Sequence, residues 1–239
     1  MGPGVTRFSQ GDEVYGDNLG LKGGFAQFAV APASVLAPKP GSLTFAQAST
    51  LPQAGPIALQ GTAGVGPGSR VAVNGAGGGS GSLAVQLAKA AGAHVTAVDN
   101  AGKLDFLRSL GADAVVDHRV EDVTRLGPFD LVLDLVAHRS VRDYRRALAP
   151  GGRYLAVGGS VSTMLSLLTA GTVLGRVSGR RLGVLAVKPG PDHFIPLEAR
   201  CASGEVRIHI DREVSLDEVP EALASVGEGR VLGKVVVTP

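Results

Sequence analysis

A glycine-rich stretch at residues 74–81, with the sequence Asn-Gly-Ala-Gly-Gly-Gly-Ser-Gly, is the part of this chain best suited to ligand chemistry. Glycine lets a ligand approach the backbone, and a helix that begins in such a loop offers unpaired N–H groups to an anion. The glycines recur every third residue, and Ser80 stands where the strict G-x-G-x-x-G pattern has its last glycine. We therefore predict a site for the diphosphate of a nucleotide, formed by Gly75, Gly78, Gly79, Ser80 and Gly81.

An acidic residue, Asp99, follows Gly81 by 18 residues and ends the second apolar run of this region. In dinucleotide-binding units an acid at about this distance accepts hydrogen bonds from the hydroxyls of the adenosine ribose. Asp99 is therefore predicted to bind the ribose. Lys103 lies four residues further on and is a candidate cofactor-binding residue, which requires its ammonium to fold back over the ribose in competition with hydration.

Other chemistries use a similar glycine loop. A nucleoside triphosphatase needs Gly-Lys-Ser or Gly-Lys-Thr after the glycines, and the Gly-Ser-Leu at residues 81–83 disfavours that reaction. A short-chain dehydrogenase needs a lysine four residues after a tyrosine, which none of the three tyrosines has. An S-adenosylmethionine-dependent methyltransferase suits the glycines, Asp99 and the Pro-Gly-Gly-Arg of residues 150–153, so it stays open as an alternative.

The residues around the loop repeat a strand–helix pattern. From residue 70 onward, short runs of Val, Leu and Ala alternate with segments of helical periodicity, which is typical of a parallel sheet covered on both faces. The predicted strands are residues 70–74, 94–99, 114–117, 130–136, 153–157 and 182–187. The predicted helices are residues 82–91, 103–110 and 139–148. We predict an α/β fold with a Rossmann doubly wound parallel sheet.

The two chain ends differ from this middle region. Residues 1–50 are rich in Gly and Pro and carry only short alternating runs, which indicates β-structure or loop. The tail is predicted to contain helices at residues 193–202 and 216–226. Strands are predicted there at residues 206–210 and 233–237.

Composition bounds the class of protein. The chain has 239 residues, 44% hydrophobic and 18% charged, enough to bury one full domain with smaller additions. Its net charge of +2, spread along the chain, argues against a nucleic-acid partner. The single cysteine, Cys201, excludes an internal disulfide and a Cys-rich zinc site, and suits the reducing cytoplasm, where we expect the protein. The uncharged residues 154–175 predict a strand, a turn and a helix rather than a membrane span.

Several segments, in order along the chain, resemble the medium-chain dehydrogenase/reductase family, and within it the zinc-free quinone oxidoreductase branch. They are residues 5–16, 23–30, 51–55, 73–76, 85–89, 110–113 and 233–236. The resemblance implies a dinucleotide-binding Rossmann domain at residues 47–190 and a partial GroES-like β domain formed by the two chain ends, residues 1–46 and 191–239. It also implies a homodimer joined at the edges of the sheets.

The resemblance further implies hydride transfer between NAD(P)H and a small-molecule substrate, either a quinone or an activated C=C bond. It places His118 where relatives often have an aromatic residue beside the adenosine, and Lys234 is a weaker candidate for the cofactor site. Val136 and Gly158 are predicted to complete that site. No catalytic residue is predicted, because Ile57 stands where the family would place a threonine near the nicotinamide. The five histidines show no ligand spacing, so no metal is predicted.

The residues after the second strand bear on the choice of cofactor. Relatives that use NADPH usually carry a small or hydroxyl-bearing residue where Asp99 stands. A carboxylate about 4 Å from a phosphate costs on the order of 1 kcal/mol per charge pair even in water. We therefore predict NAD(H) or NADP(H), with NAD(H) preferred. A catalytically weak nucleotide-binding protein is the second alternative, beside the methyltransferase.

Family members begin well before the residue that matches Met1, and their additional residues supply the first strands of the substrate domain. Two hypotheses follow. Met1 is an internal valine codon read as a start, or the protein is naturally shortened. An in-frame stop codon just before Met1 would contradict the first hypothesis.

Overall fold

A computed structural model describes residues 2–20 and 24–239. Met1 and residues 21–23, which include the first residue of the family-like segment 23–30, lie outside the described residues. The chain divides into two compact units, one formed by residues 1–56 and 188–239 and the other by residues 57–187. The divisions predicted from the sequence fall after residues 46 and 190.

The leading segment of the first unit holds two short strands and two helices. Strand β1 (Val14–Gly16) pairs antiparallel with β2 (Leu36–Pro38). Helix α1 (Phe45–Ser49) begins at a reciprocal side-chain cap, and α2 (Leu51–Gly61) follows it. The division between the two units falls inside α2. Residues 24–32 have an irregular backbone, so of the two structures expected there, β-structure or loop, they form a loop.

The second unit, residues 57–187, is built on six parallel strands. The strands are β3 (Arg70–Asn74), β4 (His94–Asp99), β5 (Ala114–Asp117), β6 (Phe129–Asp134), β7 (Leu148–Ala156) and β8 (Arg181–Val184). The helices are α3 (Gly79–Ala90), α4 (Leu104–Ser109), α5 (Val141–Ala147), α6 (Val161–Ser166) and α7 (Thr172–Val177). The strand order is β5-β4-β3-β6-β7-β8, and every neighbouring pair is parallel. This order confirms the predicted doubly wound Rossmann sheet.

Strand β3 is the centre from which the chain winds outward in both directions. Strands β4 and β5 lie on one side of it and β6, β7 and β8 on the other, so the order reverses between β3 and β6. In open parallel sheets, ligands bind at the carboxyl ends of the strands at such a reversal. Val71, Ala72 and Val73 are fully buried, which explains why β3 is a continuous apolar run.

A buried polar network fixes the carboxyl ends of β3 and β6. Asp134 has no solvent exposure, and its carboxyl group accepts hydrogen bonds from Asn74 Nδ2 and the Tyr154 hydroxyl, both at 2.8 Å. The Tyr144 ring stacks on that of Tyr154, with centroids 3.9 Å apart. Burial, followed by the charge of Asp134, raises the pKa of Tyr144 to about 12 and also raises the pKa of Tyr154. Both hydroxyls therefore stay protonated at neutral pH.

The returning segment of the first unit departs from the prediction at one strand. Its elements are α8 (Pro196–Ala202), β9 (Ile210–Val214), α9 (Val219–Gly227) and β10 (Lys234–Val237). Strands β9 and β10 pair parallel to each other. The strand predicted at residues 206–210 is wrong except for its last residue. The Val206 N–H donates to the Arg200 carbonyl at 3.0 Å, so the chain closes back on α8 before the strand begins.

The uncharged residues 154–175 form the end of β7, helix α6, a π-helical turn at Leu167–Gly171 and the start of α7. The expected strand, turn and helix are present, and the helical run of residues 161–177 is continuous with a π-helical turn at its centre. Within the described ranges, no helix combines the length and the apolar character needed to cross a bilayer.

Candidate functional site

The loop between β3 and α3 is held against the neighbouring strand β4. The N–H groups of Gly75 and Ala76 both donate to the carbonyl of Val98 at 3.0 Å. Gly75 has a φ of +78°, in the left-handed region, and a Cβ there would lie 3.2 Å from Leu135 Cβ. The turn at Gly75 therefore needs glycine for its backbone angle. The fold alone explains this glycine, without a ligand.

Gly81 lets helix α3 start directly against the loop. A Cβ at Gly81 would clash with the Gly75 carbonyl oxygen and lie 2.7 Å from Ala76 Cα. Both contacts are with backbone atoms, which cannot move aside as a flexible side chain can. A larger residue would push α3 away from the loop, so the packing of the helix already accounts for this glycine.

Gly78 differs from both, since nothing in its surroundings requires glycine. Its φ of −85° is open to any residue, and a Cβ would meet only the Gly75 carbonyl oxygen, at 3.6 Å. A side chain there would point into open space and would cost the fold little. The fold does not explain the glycine at position 78. A ligand that approaches the backbone at this position would explain it.

The N-terminus of α3 offers N–H groups to an anion. The helix begins at Gly79. The sequence predicted a start three residues later, at Ser82, because glycine and serine have poor helix propensity, which packing overrides here. Gly78, the N-cap, provides no side-chain cap, and the first turn of α3 carries no acidic residue. The Ser82 N–H donates to the Gly78 carbonyl at 2.9 Å, so the N–H groups of Gly79, Ser80 and Gly81 have no acceptor within the helix. The helix dipole adds positive potential at the same end.

Asp99 ends β4 beside the loop, and its carboxylate faces the loop. Its Oδ2 accepts the N–H of Gly77 at 2.8 Å, and its Oδ1 accepts the N–H of Asn100 at 2.9 Å. Lys103 Nζ lies 3.5 Å from Asp99 Oδ1, and Lys103 is only 7% exposed. A role for Lys103 at the cofactor stays a prediction, and its side chain is largely removed from water. Its ammonium folds back onto Asp99, because pairing with a carboxylate offsets the loss of water.

The remaining predicted residues of this unit follow the ends of other strands of the same sheet. His118 follows β5, is exposed, and donates its backbone N–H to the Asp99 carbonyl at 3.0 Å. Val136 lies just beyond β6, is 49% exposed and flanks Gly75. Gly158 lies just beyond β7, and its carbonyl accepts the N–H of the residue after Val136 at 2.8 Å. Because the strands are parallel, the sheet brings all of these residues to its carboxyl edge.

The predicted Lys234, and Ile57, for which no role is predicted, belong to other elements. Lys234 is on β10 of the first unit, where it pairs with Ile210 of β9, and burial lowers the pKa of its ammonium. Its role at a cofactor stays a prediction. Ile57 is in the middle of α2. In residues 2–20 and 24–239, no group of three or more His, Cys, Asp and Glu side chains is arranged to hold a metal ion.

Sequence reasoning missed several residues of this region. Gly77 falls between the regularly spaced glycines, and a Cβ on it would lie only 2.5 Å from Lys103 Cδ. No local pattern links residues 77 and 103, which are 26 positions apart. Asn74 and Asp134 did leave a signal, since each is a polar residue at the end of a buried apolar strand.

The strand order, the glycine loop and the acid at the end of β4 together define a dinucleotide-binding α/β domain. Comparison with known proteins gives the family. The family described as "Zinc-binding dehydrogenase" matches residues 110–237. The chain belongs to this family of medium-chain dehydrogenase/reductases and, within it, is quinone oxidoreductase-like, which confirms the resemblance seen in the sequence.

Similar proteins support the same assignment. The chain is 31% identical to a chloroplast envelope quinone oxidoreductase homolog from Arabidopsis thaliana, over 100% of this chain and 76% of that protein. It is 34% identical to a 2-methylene-furan-3-one reductase from Solanum lycopersicum, over 100% of this chain and 60% of the relative. The quinone oxidoreductase structure from Coxiella burnetii matches with a TM-score of 0.78 and 29% identity, over 87% of this chain and 65% of that chain. The methyltransferase alternative gains no support from these relatives.

Gly78 and Gly81 provide a test that separates ligand binding from packing. We expect Gly78→Val to lower the free energy of unfolding by no more than about 1 kcal/mol, because the space for a Cβ is open but valine is a poorer N-cap residue than glycine. It should weaken dinucleotide binding at least about tenfold, roughly 1.4 kcal/mol, because the side chain occupies the approach to the backbone. Urea unfolding and calorimetric titration with NADH measure the two effects.

Gly81→Ala should instead destabilise the fold by about 1–3 kcal/mol, as overpacking against backbone does. Gly183→Val, on β8 where a Cβ would meet no atom within 4 Å, is the control for binding. Normal NADH affinity in a folded Gly78→Val protein would show that the loop is only a turn.

Proposed function

We propose that this protein is an NAD(P)H-dependent oxidoreductase of the quinone or enone reductase type. One observation carries the proposal. Helix α3 has an N-terminus without a side-chain cap, directly after Gly78, where no side chain blocks access to the backbone. This terminus lies at the carboxyl end of β3, where the strand order of the sheet reverses. The names of the relatives, a quinone oxidoreductase homolog and a 2-methylene-furan-3-one reductase, support the substrate class.

The chain's own residues would bind and orient the dinucleotide. The first three N–H groups of α3 would donate to the diphosphate, and Gly78 leaves room for it. Asp99 and His118 would lie on the adenosine side of the loop, since Asp99 ends the strand after the glycine helix. Val136 presents an apolar surface beside the loop, which would keep water away. A bound reduced nicotinamide would supply a hydride to a quinone or to the β-carbon of an activated C=C bond.

Turnover is the direct test of this proposal. Purified protein is mixed with NADH or NADPH and with a naphthoquinone or an α,β-unsaturated ketone, and oxidation of the cofactor is followed by its ultraviolet absorbance. We expect oxidation with at least one acceptor. We also expect oxidation of the cofactor to continue in EDTA, because we propose that the hydride transfer needs no zinc ion. Gly78→Val should reduce the rate by at least about tenfold at low cofactor concentration.

Several results would contradict the proposal. Tight NADH binding without oxidation of any acceptor would favour the catalytically weak nucleotide-binding alternative. Binding of S-adenosylmethionine in place of NADH would revive the methyltransferase alternative. Loss of activity in EDTA, restored by zinc, would contradict the zinc-independent part alone.

We propose that NADH is preferred over NADPH. The Asp99 carboxylate ends β4, and the Lys103 ammonium is engaged with it rather than free for a 2′-phosphate. Asp99→Ser should shift the ratio of the NADH and NADPH dissociation constants toward NADPH, because it removes a repulsion of roughly 1 kcal/mol per charge pair and frees Lys103. Asp105→Ser, which removes an exposed carboxylate in α4, is the control. The preference is contradicted if the wild type binds NADPH more tightly or if Asp99→Ser leaves the ratio unchanged.

We propose a homodimer that covers an apolar surface on the helices before the edge strand β8. Residues 161–177 expose several large apolar side chains, and a concentration of such residues in one segment is typical of an association surface. They are Val161, Leu165, Leu168, Val173 and Val177. We expect sedimentation velocity to give a dimer and Val173→Glu to give a monomer, because a charge would be buried at the interface. Leu223→Glu, on the exposed face of α9, should leave the dimer intact. A monomeric wild type would contradict this assembly.

A further inference from the structure

The Asp99 carboxylate is surrounded by hydrogen-bond donors from the chain itself. Oδ2 accepts the Gly77 N–H at 2.8 Å. Oδ1 accepts the Asn100 N–H at 2.9 Å and Asn100 Nδ2 at 3.3 Å, with Lys103 Nζ at 3.5 Å. Three of these donors lie at Oδ1 and one at Oδ2, so Oδ2 keeps one lone-pair site for a further donor. The protein therefore fixes the position of the Asp99 carboxylate and leaves Oδ2 able to accept a ribose hydroxyl.

The Lys103 side chain is far less exposed to solvent than lysine side chains usually are. Its side chain is 8% exposed and that of Asp99 is 11% exposed, so the ion pair is largely removed from water. Its stem runs over Gly77, where a Cβ would lie 2.5 Å from Lys103 Cδ and 3.0 Å from Asp99 Oδ2. Lysine is almost never fully buried unless it is paired, which makes Asp99 the reason for this placement.

The backbone before Lys103 fixes where its side chain starts. Residues Ala101–Lys103 form a single 3-10 turn capped by Asn100, whose side chain accepts the Gly102 N–H at 3.1 Å. The Lys103 N–H donates to the Asn100 carbonyl at 3.0 Å. Asn100 therefore contacts the carboxylate and also sets the turn that directs Lys103 back toward it.

We propose that Lys103 is a positioning residue, which holds the Asp99 carboxylate on the Gly77 N–H and thereby fixes the glycine loop in its binding shape. The proposal rests on the proposed function, because the loop is taken to receive a dinucleotide. Gly77 donates its N–H inward to Asp99. This hydrogen bond holds the loop against the end of β4, while the N–H groups of the first turn of α3 remain available to the ligand.

The role of the ammonium follows from burial. Without the ammonium, the carboxylate keeps its three hydrogen bonds from N–H groups but loses the positive charge paired with it, and water reaches little of the group to compensate. The carboxylate then gains by turning toward solvent, which releases Gly77. A neutral amide at position 99 removes this drive, so the effect of Lys103 on the loop requires a charged Asp99.

A double-mutant cycle tests this dependence. We expect Lys103→Met, which keeps the stem and removes the charge, to raise the NADH dissociation constant about tenfold. In the Asp99→Asn background, the same substitution should change it by less than about twofold, because residues that act through one another are not additive. Lys89→Met is the matched control. Lys89 pairs with Asp113 at 2.7 Å in the last turn of α3, far from the loop, and its loss should leave NADH binding unchanged.

A second readout needs no cofactor. Hydrogen exchange of the Gly77 amide, followed by NMR on the unliganded protein, reports whether the N–H to Asp99 bond is intact. We expect slow exchange in the wild type and in Lys89→Met, and faster exchange in Lys103→Met. If the wild type bound no dinucleotide, the proposed function would fail, and this measurement would still decide whether Lys103 holds the loop.

The inference is overturned if Lys103→Met weakens NADH binding equally in both backgrounds, or if it leaves both binding and Gly77 exchange unchanged. Lys103→Arg keeps the claim testable should Lys103→Met fail to fold. It retains the positive charge, so we expect slow Gly77 exchange and an NADH dissociation constant within about threefold of the wild type. Fast Gly77 exchange in a folded Lys103→Arg protein would contradict the role of the charge.

Discussion

The candidate site depends on one close approach between backbone segments, the contact of α3 at Gly81 with the loop at Gly75 and Ala76. The absence of a Cβ at Gly81 lets the helix begin against the turn. The N–H groups of Gly75 and Ala76 tie that turn to Val98 of the neighbouring strand. These contacts set where the first turn of α3 lies, and so where an anion meets its N–H groups.

The parallel sheet gives this contact its chemical surroundings. Every strand of the second unit points the same way, so residues far apart in sequence meet at one edge. The buried Asp134 secures that edge by accepting hydrogen bonds from Asn74 and Tyr154. Asp99 secures the loop by accepting the Gly77 N–H. The two acids end the strands on either side of β3, and both have structural roles. Asp134 is fully buried, and Asp99 lies beside the open helix terminus.

Much of the fold was predictable because the strands of the second unit are short apolar runs bounded by turn residues. Strands β3, β4 and β5 have the bounds predicted from the sequence, at residues 70–74, 94–99 and 114–117. The start of α3 was missed because Gly79 and Ser80 are poor helix formers that packing overrides. The burial of Lys103 was missed because it depends on Gly77, which only the folded chain brings near. The role of Gly78 follows only from comparing its space with that of Gly81.

A crystal structure of the protein with NADH tests the central claim most directly, since it locates the diphosphate without relying on turnover. The account predicts diphosphate oxygens within about 3.2 Å of N–H groups in the first turn of α3 and above the bare backbone of Gly78. It also predicts the Gly77 N–H still bound to Asp99. A dinucleotide bound away from the N-terminus of α3 would contradict the account.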